Sequence, residues 1–392
     1  MKTTKRHLLL LTLLALLPAP CRAAAITFTD IANTNGQFNS LGAPSINASG
    51  RVVFITNTGA GGEGVFTVSG GVTTTIALTS GPTFRDFHSQ ASINDSGTVA
   101  FFATLDGTGE TGMFTSVGGP ANTIAKFPSP PSSFSPAPSI NQAGNVAFHA
   151  TGASNTVDRF IFTGFGFGGN TTELASTTGP TFNTLDQRPF INGGGTVVFH
   201  ATLDAGGDGI FASAGGVTSV IAQSSGPTFS GFSTGGPSIN DAGTVVFYAG
   251  TDAGDSGIFT VSNGVTRAIA LSSGIYKGFP YRAAINSGGT VAFMAFLDSG
   301  PTGIYLANGT AHTRVVSVGD ALFGSTVSAL NFGEGTRGLN DADQIAFNYT
   351  LANGTAGIAV ATVPEPTAAL LLSVGALALL GRHRTSTRGN GG

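Results

Sequence analysis

The chain has 392 residues, 41% of them hydrophobic and only 9% charged, a balance that excludes an intrinsically disordered protein despite its 59 glycines. A single cysteine excludes a disulfide framework. Nineteen acids against ten Lys plus Arg between Ile26 and Thr362 exclude a nucleic-acid surface, since that excess repels phosphate backbones.

Residues 1–25 read as a secretory signal peptide. Lys2, Lys5 and Arg6 precede an apolar run from Leu8 to Leu17, and Ala23, Ala24 and Ala25 offer a cleavage site. Cys21 follows Pro18, Ala19 and Pro20, a poor lipobox, so it is expected to leave with the peptide. The mature chain then has no thiol and must be held by packing and backbone pairing alone. Immediately after cleavage comes a lone strand-like segment, Ile26 to Ala32 (ITFTDIA).

From there to Thr362 one unit recurs. Asn, two residues, Gly, one residue, Val, a small residue and Phe begin at Asn47, Asn94, Asn141, Asn192, Asn240, Asn286 and Asn340, with spacings of 47, 47, 51, 48, 46 and 54 residues. Each unit reads as four strands: a Ser-Ile segment before the Asn, the Val-x-Phe strand, a Gly-Ile-Phe strand and an Ile-Ala strand. A Gly-Pro-Thr-Phe segment beginning at Gly81, Gly179 and Gly226 is read as closing three of the copies. In Val197 to Leu203 neither alternating face is strongly polar, which is what a sheet sandwiched between two neighbours requires. Seven such units predict an all-β, seven-bladed β-propeller of four-stranded blades over 26–362. The last unit stops after its third strand, and Ile26 to Ala32 is the spare fourth, so the N-terminal strand is expected to complete the last blade and seal the ring.

The repeated Asn is read as structural: at the first turn position it bonds its own backbone, and Gly at the fourth takes a positive φ. Copy seven departs, with Asp343 for the Gly and Ile345 for the Val.

Residues 363–392 form a separate tail. Val363, Pro364, Glu365 and Pro366 precede an apolar run over 367–381 and a cluster of Arg382, His383, Arg384 and Arg388. Fifteen residues reach about 22 Å as a helix, short of the roughly 30 Å hydrocarbon core, and the arginines favour a cytoplasmic end. This order resembles the PEP-CTERM sorting signal of Gram-negative bacteria that make exopolysaccharide. The resemblance implies processing by an exosortase and transfer to the cell surface. The repeats, as in Ile93-Asn94-Asp95-Ser96-Gly97-Thr98-Val99-Ala100-Phe101, resemble the bacterial family of choice-of-anchor tandem repeat NxxGxVAF-containing proteins, which implies a surface location and no activity.

Several residues are candidates for chemistry. Arg188 and Arg282 each lie four residues before a motif Asn, where two guanidinium groups on a shared channel could bind an anionic sugar. His149 and His200 share one repeat position with Ile55, Phe102, Tyr248, Met294 and Asn348, a variety that suits packing between blades better than metal ligation. Acidic turns at Asp106, Asp204, Asp252 and Asp298 each supply too few oxygens for calcium. No nucleophile elbow, HExxH helix or phosphate loop is present, so no cofactor, metal or catalytic residue is assigned. The expectation is a non-enzymatic surface protein that binds an extracellular polysaccharide or protein. The alternative is a propeller enzyme, a glycan lyase or hydrolase whose carboxylates and arginines meet at the channel mouth only on folding.

Overall fold

Each Asn-x-x-Gly segment closes a tight reversal, and that reversal sets the geometry of the sheet that follows. In the first, the Asn47 N–H donates to the Arg51 carbonyl at 3.0 Å and the Gly50 N–H donates to the Asn47 carbonyl at 3.0 Å. Gly50, Gly97, Gly144, Gly195, Gly243 and Gly289 take φ between 77° and 84°, the left-handed region that glycine enters without penalty. In the seventh turn Asp343 takes φ 52° and its N–H reaches the Asn340 carbonyl at 3.2 Å, so the turn survives the loss of its glycine.

The computed structural model describes residues 25–364, apart from 128–136, 153–157, 166–169, 187, 281–282 and 333–337. Within the unit Ile26–Val363, every regular element among the described residues is a strand, and the strands form seven antiparallel sheets arranged as a seven-bladed β-propeller. Blades are numbered here by their turns, from Asn47 in blade 1 to Asn340 in blade 7.

Along the Val-x-Phe and Gly-Ile-Phe strands the apolar residues are buried on both faces. Val197, Val198, Phe199 and Ala201 of blade 4 are all fully buried, although they point in opposite directions. Seven apolar clusters result, one between each pair of neighbouring blades. One of them packs Ala346 and Ile358 of blade 7 against Ile46 and Phe54 of blade 1, so the stack has no end.

Closure comes from the N-terminal strand Thr27–Asn33, one residue later than the segment expected from sequence. It lies outermost in blade 7, antiparallel to Ala356–Thr362, with Thr27 opposite Thr362 and Asn33 opposite Gly357. The Tyr349 hydroxyl donates to Asp30 Oδ1 at 3.0 Å and ties the added strand to Gln344–Leu351. Thr362 also pairs with Gln344, just after the seventh Asn turn. Both chain ends therefore leave at the face that carries the Asn turns, the Asn face. The hairpins joining the second and third strands of each blade lie at the opposite, hairpin face.

One part of the sequence reading is corrected. The Gly-Pro-Thr-Phe segments do not close their copies; each opens the inner strand of the next blade. Phe84 pairs with Leu105, Phe182 with Leu203 and Phe229 with Thr251, at the far end of the Val-x-Phe strand. The reason is aromatic packing: the Phe182 ring sits 5.8 Å edge-on from motif Phe199 and 5.1 Å from Phe211, a geometry that favours aromatic pairs.

Candidate functional site

Seven asparagine side chains meet around the axis at the Asn face, each no more than 5% exposed. Their Oδ1 atoms accept the N–H of the residue four positions on, at 2.9 to 3.0 Å, which braces each turn as expected. The other half of the amide does something the sequence reading missed. Each Nδ2 donates to the main-chain carbonyl of the equivalent Asn in the next blade, at 2.9 to 3.2 Å. The seventh bond, from Asn340 to the Asn47 carbonyl at 2.9 Å, returns to the first blade. The signal was available: Asp serves a turn as well as Asn, but a carboxylate only accepts whereas an amide also donates, and all seven copies carry Asn.

A second belt follows one residue later. Asp95 Oδ1 accepts the Ala48 N–H at 2.7 Å, Asp241 Oδ1 the Gly193 N–H at 2.7 Å, and Asp341 Oδ1 the Ser287 N–H at 2.8 Å. These carboxylates clasp the preceding blade. Together with the aliphatic residues before each Asn, such as Ile93, Ile239 and Leu339, they line an axial cavity of about 90 Å³. That is small beside the roughly 300–1,000 Å³ of ligand pockets, so the axis at this face is a plug more than a binding site.

The hairpin face carries the acidic turns. Asp106, Asp204, Asp252 and Asp298 sit on four different blades, and their N–H groups donate to the carbonyls of Thr83, Thr181, Thr228 and Ile275 at 2.9 to 3.3 Å. Each ties a hairpin tip to the inner strand of its own blade. Just past the tips, Glu63 Oε2 accepts the Phe87 N–H and Asp208 Oδ2 the Phe232 N–H, both at 2.9 Å and both from the next blade. Among the described residues no three His, Cys, Asp or Glu side chains are grouped so as to hold a metal ion.

Of the two arginines singled out by position, Arg282 lies outside the described residues. Arg188 donates from Nη1 to the Thr234 carbonyl of blade 5 at 3.3 Å, so part of its guanidinium is engaged with the neighbouring inner strand. The sorting-motif residues from Glu365 onward and the apolar run 367–381 also lie outside the described residues, among which no helix is long and apolar enough to cross a membrane.

His149 and His200 both lie between blades, 1% and 5% exposed. His200 has Asp208 Oδ2 at 3.3 Å. In blade 3 the residue equivalent to Asp208 is Arg159, and neither ring nitrogen of His149 has a hydrogen-bond partner among the described residues. Burial, reinforced by the Arg159 guanidinium, pulls the His149 imidazole down to about 4. Because this folded value lies below the ordinary 6.5, the unfolded chain takes the proton first. Stability from neutral His149 is complete above pH 6.5 and is lost as pH falls toward 4, by up to about 3 kcal/mol. A His149→Met variant, carrying the residue of blade 6 at that position, should lose less stability than the parent between pH 7 and pH 4.5. Chemical denaturation at the two pH values measures the difference; equal losses would rule out His149 as the acid-sensitive group.

Residues 122–336, more than half of the chain, match a family described as a family of unknown function, DUF7453. The chain belongs to this family. No curated protein matches the sequence. Among solved structures, the DUF7453 chain is similar to a prolyl endopeptidase at 15% identity and a TM-score of 0.53, over 84% of this chain and 50% of that one. It is also similar to prolyl oligopeptidase B from Galerina marginata, at 8% identity and a TM-score of 0.51, over 80% of this chain and 46% of that one. A lectin from Aleuria aurantia aligns at 10% identity and a TM-score of 0.39, over 72% of this chain and 96% of the lectin. The chain spans about half the length of the two peptidase structures it matches. At such identities the two peptidase likenesses show a shared fold and nothing of activity.

Proposed function

We propose that this DUF7453 protein is a secreted, surface-tethered and non-enzymatic module that binds an extracellular polysaccharide or protein on one face of its propeller. The observation that carries this reading is the pairing of Thr27 with Thr362, because it sends both chain ends out of the Asn face and leaves the hairpin face free of them. A tail at 363–392 of the PEP-CTERM kind, handled by an exosortase in a Gram-negative host, then continues from the Asn face, and the hairpin face is left for a partner. The carboxylates support binding over catalysis. Those at the Asn face clasp neighbouring blades through backbone N–H groups, and the four acidic turns stand on hairpin tips of four different blades.

Intact mass spectrometry of protein released from the surface of an exosortase-bearing host tests the display half of this proposal. The expected species begins near Ala24 to Ile26 and ends near Pro366. Recovery of the Arg384 peptide on mature protein would overturn exosortase processing. Incubation of the purified body with a glycan library tests the other half: retention without shortened products is expected, and the appearance of cleaved glycans would establish the enzyme instead.

A further inference from the structure

Blade 7 breaks the repeat on two adjacent strands of its own sheet, Gln344–Leu351 and Ala356–Thr362. The position after the motif Phe holds Ile55, Phe102, His149, His200, Tyr248 and Met294 in the first six blades, and all but Asn348 are bulky or extended. The Gly-Ile-Phe motif becomes Gly357-Ile358-Ala359, and the Tyr349 ring occupies the space above Gly357, where a Cβ would approach it to 2.3 Å. Asn348, Tyr349 and Gly357 border a cavity of about 340 Å³ between blade 7 and the inner strands of blades 1 and 2, well above the volume at the Asn-face axis and within the range of small-ligand pockets.

The lining is uncharged and rich in amides. Gln90, Asn331 and Asn348 contribute three, and no described residue around the cavity carries a charge. Asn348 Nδ2 is bonded to the Leu41 and Gly42 carbonyls at 3.3 and 3.2 Å, which fixes the amide and leaves Oδ1 buried without a partner. Gln90 is 6% exposed, and its Oε1 likewise has no partner among the described residues. Such an orphaned acceptor costs about 1–3 kcal/mol unless something enters to donate to it. Hydroxyl groups answer this lining best, because each both donates and accepts and so satisfies an amide in either orientation. Charged ligands do not, since no described residue of the lining neutralises them.

The geometry points to a binding site for one unit of a neutral saccharide in this cavity, with the Gln90 and Asn348 amides reading its hydroxyls. The site deepens the proposed binding role and rests on it.

Glucose, galactose and mannose, with glucuronate as the charged control, are titrated into the full chain and followed by saturation-transfer NMR. At least one neutral hexose should bind, and glucuronate should bind no more tightly. Gln90→Met and Asn348→Met, the second installing the residue of blade 6, should each weaken that binding tenfold or more. Gln90→Met removes no hydrogen bond found here, so an unchanged melting temperature shows that its loss of binding is local. Failure of all three hexoses to bind the folded protein, or binding that both variants leave intact, would overturn the site. In the second case a saccharide bound elsewhere would preserve the binding role while removing it from this cavity.

Discussion

Deleting Ile26–Asn33 should lower the melting temperature sharply and shift the protein from monomer to aggregate. The deletion removes six paired positions along Ala356–Thr362 and uncovers that strand's N–H and C=O groups, a ready template for association. It also strips Ala32 and Ile31 from the cluster that joins blades 7 and 1. Because Thr27 lies directly opposite Thr362, the same segment placed after Thr362 through a Gly-Gly turn, like that between Ser69 and Val72, should form the missing hairpin and restore both properties. Melting curves and size-exclusion profiles of parent, deletion and relocated chains decide the matter. A silent deletion, or a relocated strand that rescues nothing, would mean that the ring is not sealed in this way.

Breaking the asparagine ring at one link is expected to cost about 3 kcal/mol, a loss of roughly 5 °C or more in melting temperature. Asn141 is fully buried; its Nδ2 donates to the Asn192 carbonyl at 3.1 Å and its Oδ1 accepts the Asn145 N–H at 2.9 Å. Asn141→Ala leaves the part-buried Asn145 N–H without its acceptor and cuts the link between blades, the Asn192 carbonyl keeping only the Gly195 N–H of its own turn. Asn141→Asp is the sharper probe, since it keeps the shape and the acceptor but sets a carboxylate oxygen against the Asn192 carbonyl. It should be at least as damaging as Ala at neutral pH. If Asp at this position were tolerated, the turn alone would account for the asparagine and the link between blades would be incidental.

Architecture was legible because it was written seven times. A turn, a strand period and a count survive drift in any single copy, and the missing fourth strand of the last unit named its own replacement at Ile26 to Ala32. Contacts between copies were less legible, because a repeat read against itself says what is common to the units and not what one unit does to the next. Asn141 therefore read as a turn residue and Phe182 as part of a closing loop, although the first acts across a boundary and the second opens the following blade. The saccharide cavity was hidden for a different reason. Asn348 stood in plain view among bulkier equivalents, but its variety was read as tolerance, and only the coordinates place it beside Gln90 from two blades away.

The strand Ala356–Thr362 has mechanical consequences. It meets Thr27–Asn33 along six positions on one side and Gln344–Leu351 along seven on the other, and the chain continues from it at Val363. A pull on that continuation runs along the strand, so both ladders are sheared together instead of being opened one rung at a time. Without the N-terminal strand the pulled segment would be an edge held on one side only. A propeller sealed in this manner opposes a pull at Val363 with two ladders where an open edge would oppose it with one.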